Sequence, residues 1–296
     1  MQIVQRSKSA IQLFDIHKIA HIRGADHPES IGIGPRGEAY TTGTGCQVYR
    51  LDLATNTATQ FATTQARCLG QAVDANGNLY AAHCGGGNVL RITPPGAVCV
   101  YATGPRGTKI TCPNYPAFDR AGNLYLSDSG DWSETVSGHI YRIGPGGGEA
   151  KLWFSEPVDT PNAIALDADE THLYFVETNG SAIARISINR DGSAGRFERV
   201  VHMPRHVPDG IAFDEHGRLW IACHRPDAIC VFDLEHRHMS LFAEDWRGEM
   251  LRGPTDVAFA GPDRDILLAS SLDNLVVHRF DGVGVRGLQL NHPKIG

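Results

Sequence analysis

Six repeated segments dominate this sequence and limit the folds open to it. Each segment has a short apolar run, a tight turn such as Asn76-Gly77 or His216-Gly217, and a second apolar run that usually carries Tyr or Trp. This order predicts a strand, a tight turn and a strand. Successive segments begin 40, 45, 48, 47 and 46 residues apart. The residues that begin them, called here the unit-start residues, are Glu29, Leu69, Asn114, Asn162, Asp209 and Thr255.

A third apolar run and usually a fourth follow in every unit, as in QVYRLDL and TATQFATT of the first. Four strands at this spacing are typical of a propeller blade. The sequence therefore predicts an all-β fold, a six-bladed β-propeller with four antiparallel strands per blade, in a single domain spanning residues 1–296. We expect the N-terminal segment IQLFDIHKI to supply the outer strand of the last blade and so close the ring. Two stacked β-sandwiches would not account for six equal units.

Composition and charge narrow the classes of partner. Hydrophobic residues make up 42% of the chain, which is enough for a packed core, and the net charge of −6 argues against a nucleic-acid backbone as the main partner. No apolar stretch approaches the length of a membrane helix, and the N-terminus has no apolar signal region. We therefore expect no nucleic acid, no membrane, and a monomer or small homo-oligomer.

The seven cysteines indicate a reducing compartment. Their number is odd, and no C-x-x-C pair occurs. A disulfide framework is therefore not expected, and reduced thiols in the cytoplasm fit better.

The unit-start residues are the first candidates for function. Four of the six are carboxylates or carboxamides, whereas the residues around them are apolar. In a propeller, equivalent positions at the start of the innermost strand surround the central channel, so Glu29, Asn114, Asn162 and Asp209 are expected to converge. Two carboxylates and two amide oxygens suit Ca²⁺ best, with Mg²⁺, Mn²⁺ or Zn²⁺ as alternatives. The competing interpretation is four unrelated polar residues solvated in the channel.

The loops after the second strands are expected to form a rim around this site. They contain His83, Asp128, Trp132 and His224, none of which is repeated in the other units. Together they predict a polar pocket with an aromatic wall, in which His83, Asp128 and His224 contact a substrate. Taken alone, each of them fits an ordinary loop position better than a substrate contact.

Several motifs resemble the senescence-marker-protein/gluconolactonase family of regucalcin-like lactonases. The segments are HPES, CPNYPAFDRAGNLYLSD, TPNAIALD and VPDGIAFDEHGRLWIA, and the resemblance runs from about Glu29 to Phe280. It implies a six-bladed propeller with one catalytic divalent metal ion in the channel. It also implies that Glu29, Asn162 and Asp209 are ligands, that Asn114 binds metal or substrate, and that Asp209 is the catalytic carboxylate.

One departure from the family pattern bears on the substrate. Sugar lactonases of this family typically carry R-x-N-D in the third unit, where this chain has Cys112-Pro113-Asn114-Tyr115. The arginine that grips sugar hydroxyls is replaced by Cys112, and the aspartate by Tyr115. The pocket is therefore expected to be less polar, with Asn114 and Tyr115 contacting a lactone or ester less polar than a simple sugar lactone.

These residues predict a metal-dependent lactonase, a carboxylic ester hydrolase. The metal ion would polarise the carbonyl, and Asp209 would take a proton from the attacking water, with His224 or His83 assisting. Three alternatives remain at this point. The same metal could serve phosphotriester or other ester hydrolysis, the propeller could be a non-catalytic protein-binding scaffold, or it could be a metal-independent lyase or condensing enzyme of the strictosidine-synthase type.

Overall fold

The computed structural model describes residues 11–133 and 135–296, and these residues form an all-β structure. The first ten residues of the predicted domain 1–296, together with Glu134, lie outside the described residues. The helical segments of the described part are two short 3₁₀ turns, Ile16–Lys18 and Pro105–Gly107. No helix there has the length and apolar character needed to cross a membrane.

The strands form five sheets in which nearly all pairs are antiparallel. The second sheet contains β6 (Gln71–Val73), β7 (Leu79–His83), β8 (Asn88–Thr93), β9 (Ala97–Thr103) and a short edge strand β13 (Gly148–Glu149). The third contains β10 (Pro113–Phe118), β11 (Leu124–Asp128), β12 (His139–Ile143) and β14 (Lys151–Leu152). The fourth contains β15 (Pro161–Leu166), β16 (His172–Glu177), β17 (Ala182–Ile188) and β18 (Ala194–His202). The fifth contains β19 (Val207–Phe213), β20 (Leu219–Arg225), β21 (Ala228–Asp233) and β22 (His238–Glu244).

The first sheet has eight strands and joins the two ends of the chain. One half is β2 (Ile31–Ile33), β3 (Ala39–Thr42), β4 (Gln47–Asp52) and β5 (Thr57–Thr63). The other half is β1 (Ala20–Arg23), β25 (Val276–Phe280), β24 (Ile266–Ser271) and β23 (Pro254–Ala260). The halves meet through one parallel pair, Arg23 with Thr57. The N-terminal edge strand is thus Ala20–Arg23, just after the segment IQLFDIHKI in which the sequence placed it.

The first strands of the repeats surround a central channel. Contacts run from β2 to β6, β10, β15, β19 and β23 in turn, and β23 contacts β2 again. The apolar core lies between neighbouring sheets rather than within one, because each cluster draws buried side chains from two consecutive repeats. Tyr80 of the second sheet, for example, packs edge-on against Phe118 of the third, with ring centroids 4.9 Å apart.

Repeated aspartates explain why the turns between first and second strands recur. Asp74 accepts hydrogen bonds from the backbone nitrogens of Asn76 and Asn78 and from the hydroxyl of Tyr80. In the fifth sheet, Asp214 accepts hydrogen bonds from the backbone nitrogens of His216 and Arg218 and from the indole nitrogen of Trp220. At Tyr80 and Trp220 the recurring aromatic position therefore combines core packing with a hydrogen bond that fixes the turn.

Candidate active site

The unit-start residues lie where the first strands depart from regular pairing. The register of β10 with β11 shifts between Pro113 and Pro116, and Asn114 lies in that interval. Equivalent shifts enclose Asn162 in β15 and Asp209 in β19. A β-bulge re-aims side chains, and the proline before each of these residues has no N–H to contribute to the ladder. The local sequence Pro-Asn or Pro-Asp thus turns a polar side chain out of the strand pattern.

A chain of hydroxyl groups fixes two of these residues and links each to the next repeat. Asn114 Nδ2 donates to Ser129 Oγ at 2.8 Å, and Ser129 Oγ donates to the carbonyl of Pro161 at 2.9 Å. Asn162 Nδ2 contacts Thr178 Oγ1 at 3.2 Å in the same way.

The Thr178 hydroxyl in turn donates to the carbonyl of Pro208 at 3.2 Å. Each hydroxyl gives its single proton to a carbonyl, so it must accept from the amide N–H₂ of the asparagine. The oxygen of each amide is left as the acceptor available to a ligand.

Two further hydroxyl links carry the same pattern around the channel. Thr42 Oγ1 donates to the carbonyl of Leu69 at 2.8 Å. Ser270 Oγ donates to the carbonyl of Glu29 at 2.9 Å, and Thr255 Oγ1 reaches the same carbonyl at 2.8 Å. Polar unit-start residues are thus positioned by the neighbouring repeat as well as by their own.

Three carboxylates at this end of the channel, those of Glu29, Asp209 and Asp256, interact electrostatically. Burial raises the pKa of Asp209 well above its usual range, and the negative charges of Glu29 and Asp256 raise it further. Burial likewise raises the pKa of Glu29, against which the cation of Arg67 acts. Arg67 Nη2 lies 2.5 Å from Glu29 Oε2, and Asn162 hydrogen bonds to Asp209. The arrangement concentrates negative charge in a place that water reaches poorly.

Tyr115 and Asp256 reach each other across the channel. Tyr115 Oη donates to Asp256 Oδ2 at 2.9 Å, although the two residues belong to the third and sixth repeats. Asp256 is 1% exposed and also accepts from the backbone nitrogen of Ile31 at 2.8 Å. Burial and the Asp256 charge raise the pKa of Tyr115 well above its usual range, so its hydroxyl stays a donor.

Two glycines make room for this crossing. A Cβ on Gly70 would lie 2.5 Å from the ring of Tyr115, and a Cβ on Gly210 would lie 2.3 Å from the Cα of Asp256. Both distances are too short for any side chain, so these positions admit only glycine while the neighbouring strands keep their places.

The raised pKa of Asp256 predicts that the free energy of unfolding depends on pH. Burial raises its pKa to about 7 from an ordinary value of 3.8. Between these values the folded chain binds more protons at this site than the unfolded chain, so the free energy of unfolding falls as pH rises from about 4 to 7. We expect Asp256→Asn to remove a few kcal/mol of that fall. Urea unfolding with chelator at several pH values measures the difference between variant and parent.

The exposed Asp263 supplies the control for this measurement. Asp263→Asn should leave the pH profile of the parent unchanged. A profile of Asp256→Asn that parallels the parent over the whole range would contradict the prediction.

The predicted rim residues divide into two groups. His224 approaches the carboxylates, since its charge acts on Glu29, and its Nε2 lies 3.8 Å from Asp273 Oδ2. His83 is 5% exposed and is held at Nδ1 by Asn88 Oδ1 at 2.9 Å, with Nε2 lacking a hydrogen-bond partner. Trp132 is 46% exposed and contacts Cys112. Of the two predicted histidines, only His224 has a charge interaction with Glu29.

Asp128 serves the backbone. Its Oδ1 accepts from the nitrogen of Cys112 at 2.7 Å and from that of Gly130 at 3.1 Å. These bonds hold the residues before β10 in place and so orient Asn114. The sequence placed Asp128 against a substrate, whereas in the structure this oxygen supports the loop that carries Asn114.

Arg67 and Asp256 belong to the site but escaped sequence reasoning. Asp256 follows the unit-start residue Thr255, a position that is otherwise apolar or small in the repeats, and this single departure was its only signal. Arg67 lies two residues before the unit-start residue Leu69, outside the repeated pattern. Neither residue could be linked to Glu29 or Tyr115 without the closed ring of first strands.

The donor set suits a hard divalent cation. Within residues 11–133 and 135–296 no three His, Cys, Asp or Glu side chains are grouped to hold a metal ion. A site here would therefore rely on the carboxylates of Glu29 and Asp209 together with the amide oxygens of Asn162 and Asn114. Such oxygen donors match Ca²⁺, and a cation would offset the repulsion that raises the pKa of Asp209.

The other end of the channel is apolar and is covered by the C-terminal segment. A cavity of about 110 Å³ there is lined by first-strand residues and by Leu288–His292. Leu288 N donates to the carbonyl of Phe213, and Asn291 Nδ2 donates to that of Phe118. Tyr115 lines this cavity and contacts Asp256, so it separates the apolar end from the carboxylates.

The family follows from the sequence match across these units. Residues 47–273 match the family described as the SMP-30/Gluconolactonase/LRE-like region. The chain belongs to this family. The match includes Asn114, Asn162 and Asp209, and it ends just after β24, the second strand of the sixth repeat.

Relatives in this family are named lactonases. The chain is 25% identical to lactonase drp35 of Staphylococcus saprophyticus over 55% of its own length and 52% of the relative. It is 28% identical to pentonolactonase XacC of Haloferax volcanii over 47% of its own length and 46% of the relative. The chain thus spans about half the length of these two curated relatives.

Solved structures of low sequence identity share the fold. A gluconolactonase from Xanthomonas campestris aligns with a TM-score of 0.76 at 19% identity, covering 91% of this chain and 89% of the other. Regucalcin from Agrobacterium tumefaciens, described as a calcium-binding protein, aligns with a TM-score of 0.75 at 18% identity, covering 92% and 95%. These likenesses identify the fold as the β-propeller of this family.

Proposed function

We propose that this chain is a divalent-metal-dependent hydrolase that opens a lactone or a related cyclic ester. The observation that carries the proposal is the partly buried pair of carboxylates, Glu29 and Asp209, together with the anchored amides of Asn162 and Asn114. The lactonase names of the relatives supply the reaction class. We further propose a single domain of six blades, because the eight-stranded sheet divides at its one parallel pair.

Glu29, Asn162, Asp209 and Asn114 would hold the cation, which we propose to be Ca²⁺. A bound divalent cation supplies Lewis acidity toward a carbonyl oxygen and charge stabilisation for the tetrahedral oxyanion. Asn114 and Asn162 contribute neutral oxygens whose direction is fixed by Ser129 and Thr178. Hydrogen bonds set before substrate arrives reduce the reorganisation needed during reaction.

Asp209 takes the proton from the attacking water. Burial and the charges of Glu29 and Asp256 raise its pKa, whereas a bound cation would lower it again, so His224 or His83 would assist in taking the proton. Asn162 donates a hydrogen bond to Asp209 and keeps its orientation. His224, whose Nε2 lies 3.8 Å from Asp273 Oδ2, is placed to assist at the rim.

Residues of the third repeat set the polarity of the substrate. Cys112 is 7% exposed and stands before Asn114, while the hydroxyl of Tyr115 is engaged by Asp256. Neither group replaces the charged pair that suits a polyhydroxylated ring. We therefore propose a lactone less polar than a simple sugar lactone, opened by a monomer or small homo-oligomer. The free state of all seven cysteines supports a cytoplasmic location.

Chelator treatment followed by a lactone panel tests this proposal. The protein is dialysed against chelator, and hydrolysis of sugar, aliphatic and aromatic lactones is measured before and after Ca²⁺, Mg²⁺, Mn²⁺ or Zn²⁺ is restored. We expect activity to vanish without metal, to return most fully with Ca²⁺, and to be higher on the less polar rings. Cation binding is measured in parallel by calorimetry on the chelated protein.

Each of the other possible results favours a different function. Tight cation binding without lactone hydrolysis would favour phosphotriester or other ester hydrolysis at the same site. Activity that resists chelator would indicate that Arg67 already balances Glu29 and that the chemistry is metal-independent. Absence of both activity and cation binding would overturn the proposal of an enzyme and favour a protein-binding propeller.

A further inference from the structure

Two cysteines from neighbouring repeats approach each other at the mouth of the channel. Cys84 follows β7 and Cys112 precedes β10, and their Sγ atoms are 2.8 Å apart. A disulfide has an S–S distance of about 2.05 Å, so closure needs a movement of less than about 1 Å. We propose that Cys84 and Cys112 are a redox modification site at which a hydroperoxide forms a reversible disulfide.

The backbone holds both thiols in position. Cys112 is fixed at its nitrogen by Asp128 Oδ1 at 2.7 Å and at its carbonyl by Ser129 N at 2.9 Å. The turn after Cys84 is closed by Gly87 N donating to the carbonyl of His83 at 2.8 Å. Ile110 N then donates to the carbonyl of Gly87 at 2.9 Å and pins the two loops together. The meeting of the sulfur atoms therefore follows from a fixed backbone.

The two thiols have different access to solvent. Cys84 is partly exposed, whereas Cys112 is buried. The hydrogen bond from the Cys112 thiol lowers the pKa of Cys84 most, and Arg67 adds to this, while burial and the charges of Asp128 and Glu29 oppose it. A peroxide reaches the partly exposed sulfur of Cys84 first and reacts with its thiolate form. Cys84 is thus the attacking residue and Cys112 the resolving residue.

The chemistry balances with one hydroperoxide per pair. The Cys84 thiolate attacks the peroxide, breaks its O–O bond and becomes a sulfenic acid, and the leaving oxygen takes a proton as water or alcohol. The Cys112 sulfur then displaces the sulfenic oxygen as water, with its own proton, and the S–S bond forms. The two thiols lose two electrons and two protons in total, and the peroxide is reduced. A thiol reductant reverses the change.

The other cysteines supply internal comparisons. Cys223 and Cys230 lie on neighbouring strands β20 and β21, but they are 0% and 2% exposed, so oxidant does not reach them. Cys99 is exposed on β9. Burial raises the pKa of Cys68 to about 12, which keeps it a thiol. Cys84 and Cys112, in contrast, combine a partly exposed thiol with a second thiol 2.8 Å away.

Peroxide treatment of the reduced protein tests the site without any hydrolysis assay. We expect the intact mass to fall by two hydrogen atoms and to return after dithiothreitol. In a non-reducing tryptic digest, peptide 68–91 should be linked to peptide 110–120. Because peptide 68–91 also contains Cys68, fragmentation must place the bridge on Cys84.

Variants make the outcome decisive. Cys84→Ser should abolish the linked peptides, whereas Cys99→Ser, at an exposed cysteine away from the pair, should retain them. Melting of the reduced Cys84→Ser protein at the parent temperature shows that it is folded. Stable sulfinic acid at Cys84 without any link, or the same link in Cys84→Ser, would overturn the proposal.

Discussion

Replacing Asp209 with Asn is expected to reduce lactone hydrolysis by about 10³-fold, because a positioned general base contributes about 10²- to 10⁴-fold. The same variant should be more stable than the parent at neutral pH in the presence of chelator. Asparagine keeps the shape of the side chain but removes one of three neighbouring negative charges, of which Glu29 and Asp256 remain. Steady-state kinetics with saturating cation and urea unfolding with chelator measure the two effects.

The opposite signs of these effects separate chemistry from folding. A general disturbance of the fold would lower activity and stability together. Asp263→Asn changes an exposed carboxylate in the same way and should leave both unchanged. Full activity in Asp209→Asn would remove this residue from the reaction, whatever its stability.

Gly210→Ala is expected to destabilise the chain by about 3 kcal/mol, at the upper end of the usual range for overpacking. The added methyl group would lie 2.3 Å from the Cα of Asp256 and 2.5 Å from its Oδ1. Backbone atoms of β23 cannot move aside without separating the fifth and sixth repeats. Thermal unfolding measures the loss, which corresponds to about 6–12 °C in a chain of this size.

Gly144→Ala is the matched control, because a Cβ at Gly144 meets nothing within 4 Å. Its melting temperature should stay within a degree or two of the parent. Equal melting temperatures for the two alanine variants would show that β19 and β23 are not as closely packed as the structure has them.

Most of the strand positions can be predicted from the repeat pattern of the sequence. A strand-turn-strand signal at a regular period depends only on local sequence, so the placement of β6, β7, β10 and β11 followed from apolar runs and Asn-Gly or Ala-Gly turns. The edge strand at Ala20–Arg23 was placed a few residues early. Its apolar neighbours in IQLFDIHKI pack on the core outside any strand; Phe14 N donates to the carbonyl of Phe242, and the two ring centroids are 5.4 Å apart.

The site was only partly predictable because its contacts cross the channel. Equivalence between repeats selects Glu29, Asn114, Asn162 and Asp209 as candidates. The pairing of Tyr115 with Asp256 joins residues 141 positions apart, and that of Arg67 with Glu29 joins residues 38 apart. No local pattern encodes such pairs, since they depend on how many units close the ring and on which faces meet.

Residues Leu288–His292 line the cavity at one end of the channel. If the proposed lactonase activity holds, we expect substrate to enter at the opposite rim, where His224, Trp132 and the Cys84 loop lie. Changes in the rim loops can alter which molecules are admitted without disturbing the apolar floor. Changes in the C-terminal segment would instead affect its hydrogen bonds to Phe213 and Phe118, and thereby the packing of the repeats. Substrate range and structural integrity can therefore diverge independently in this chain.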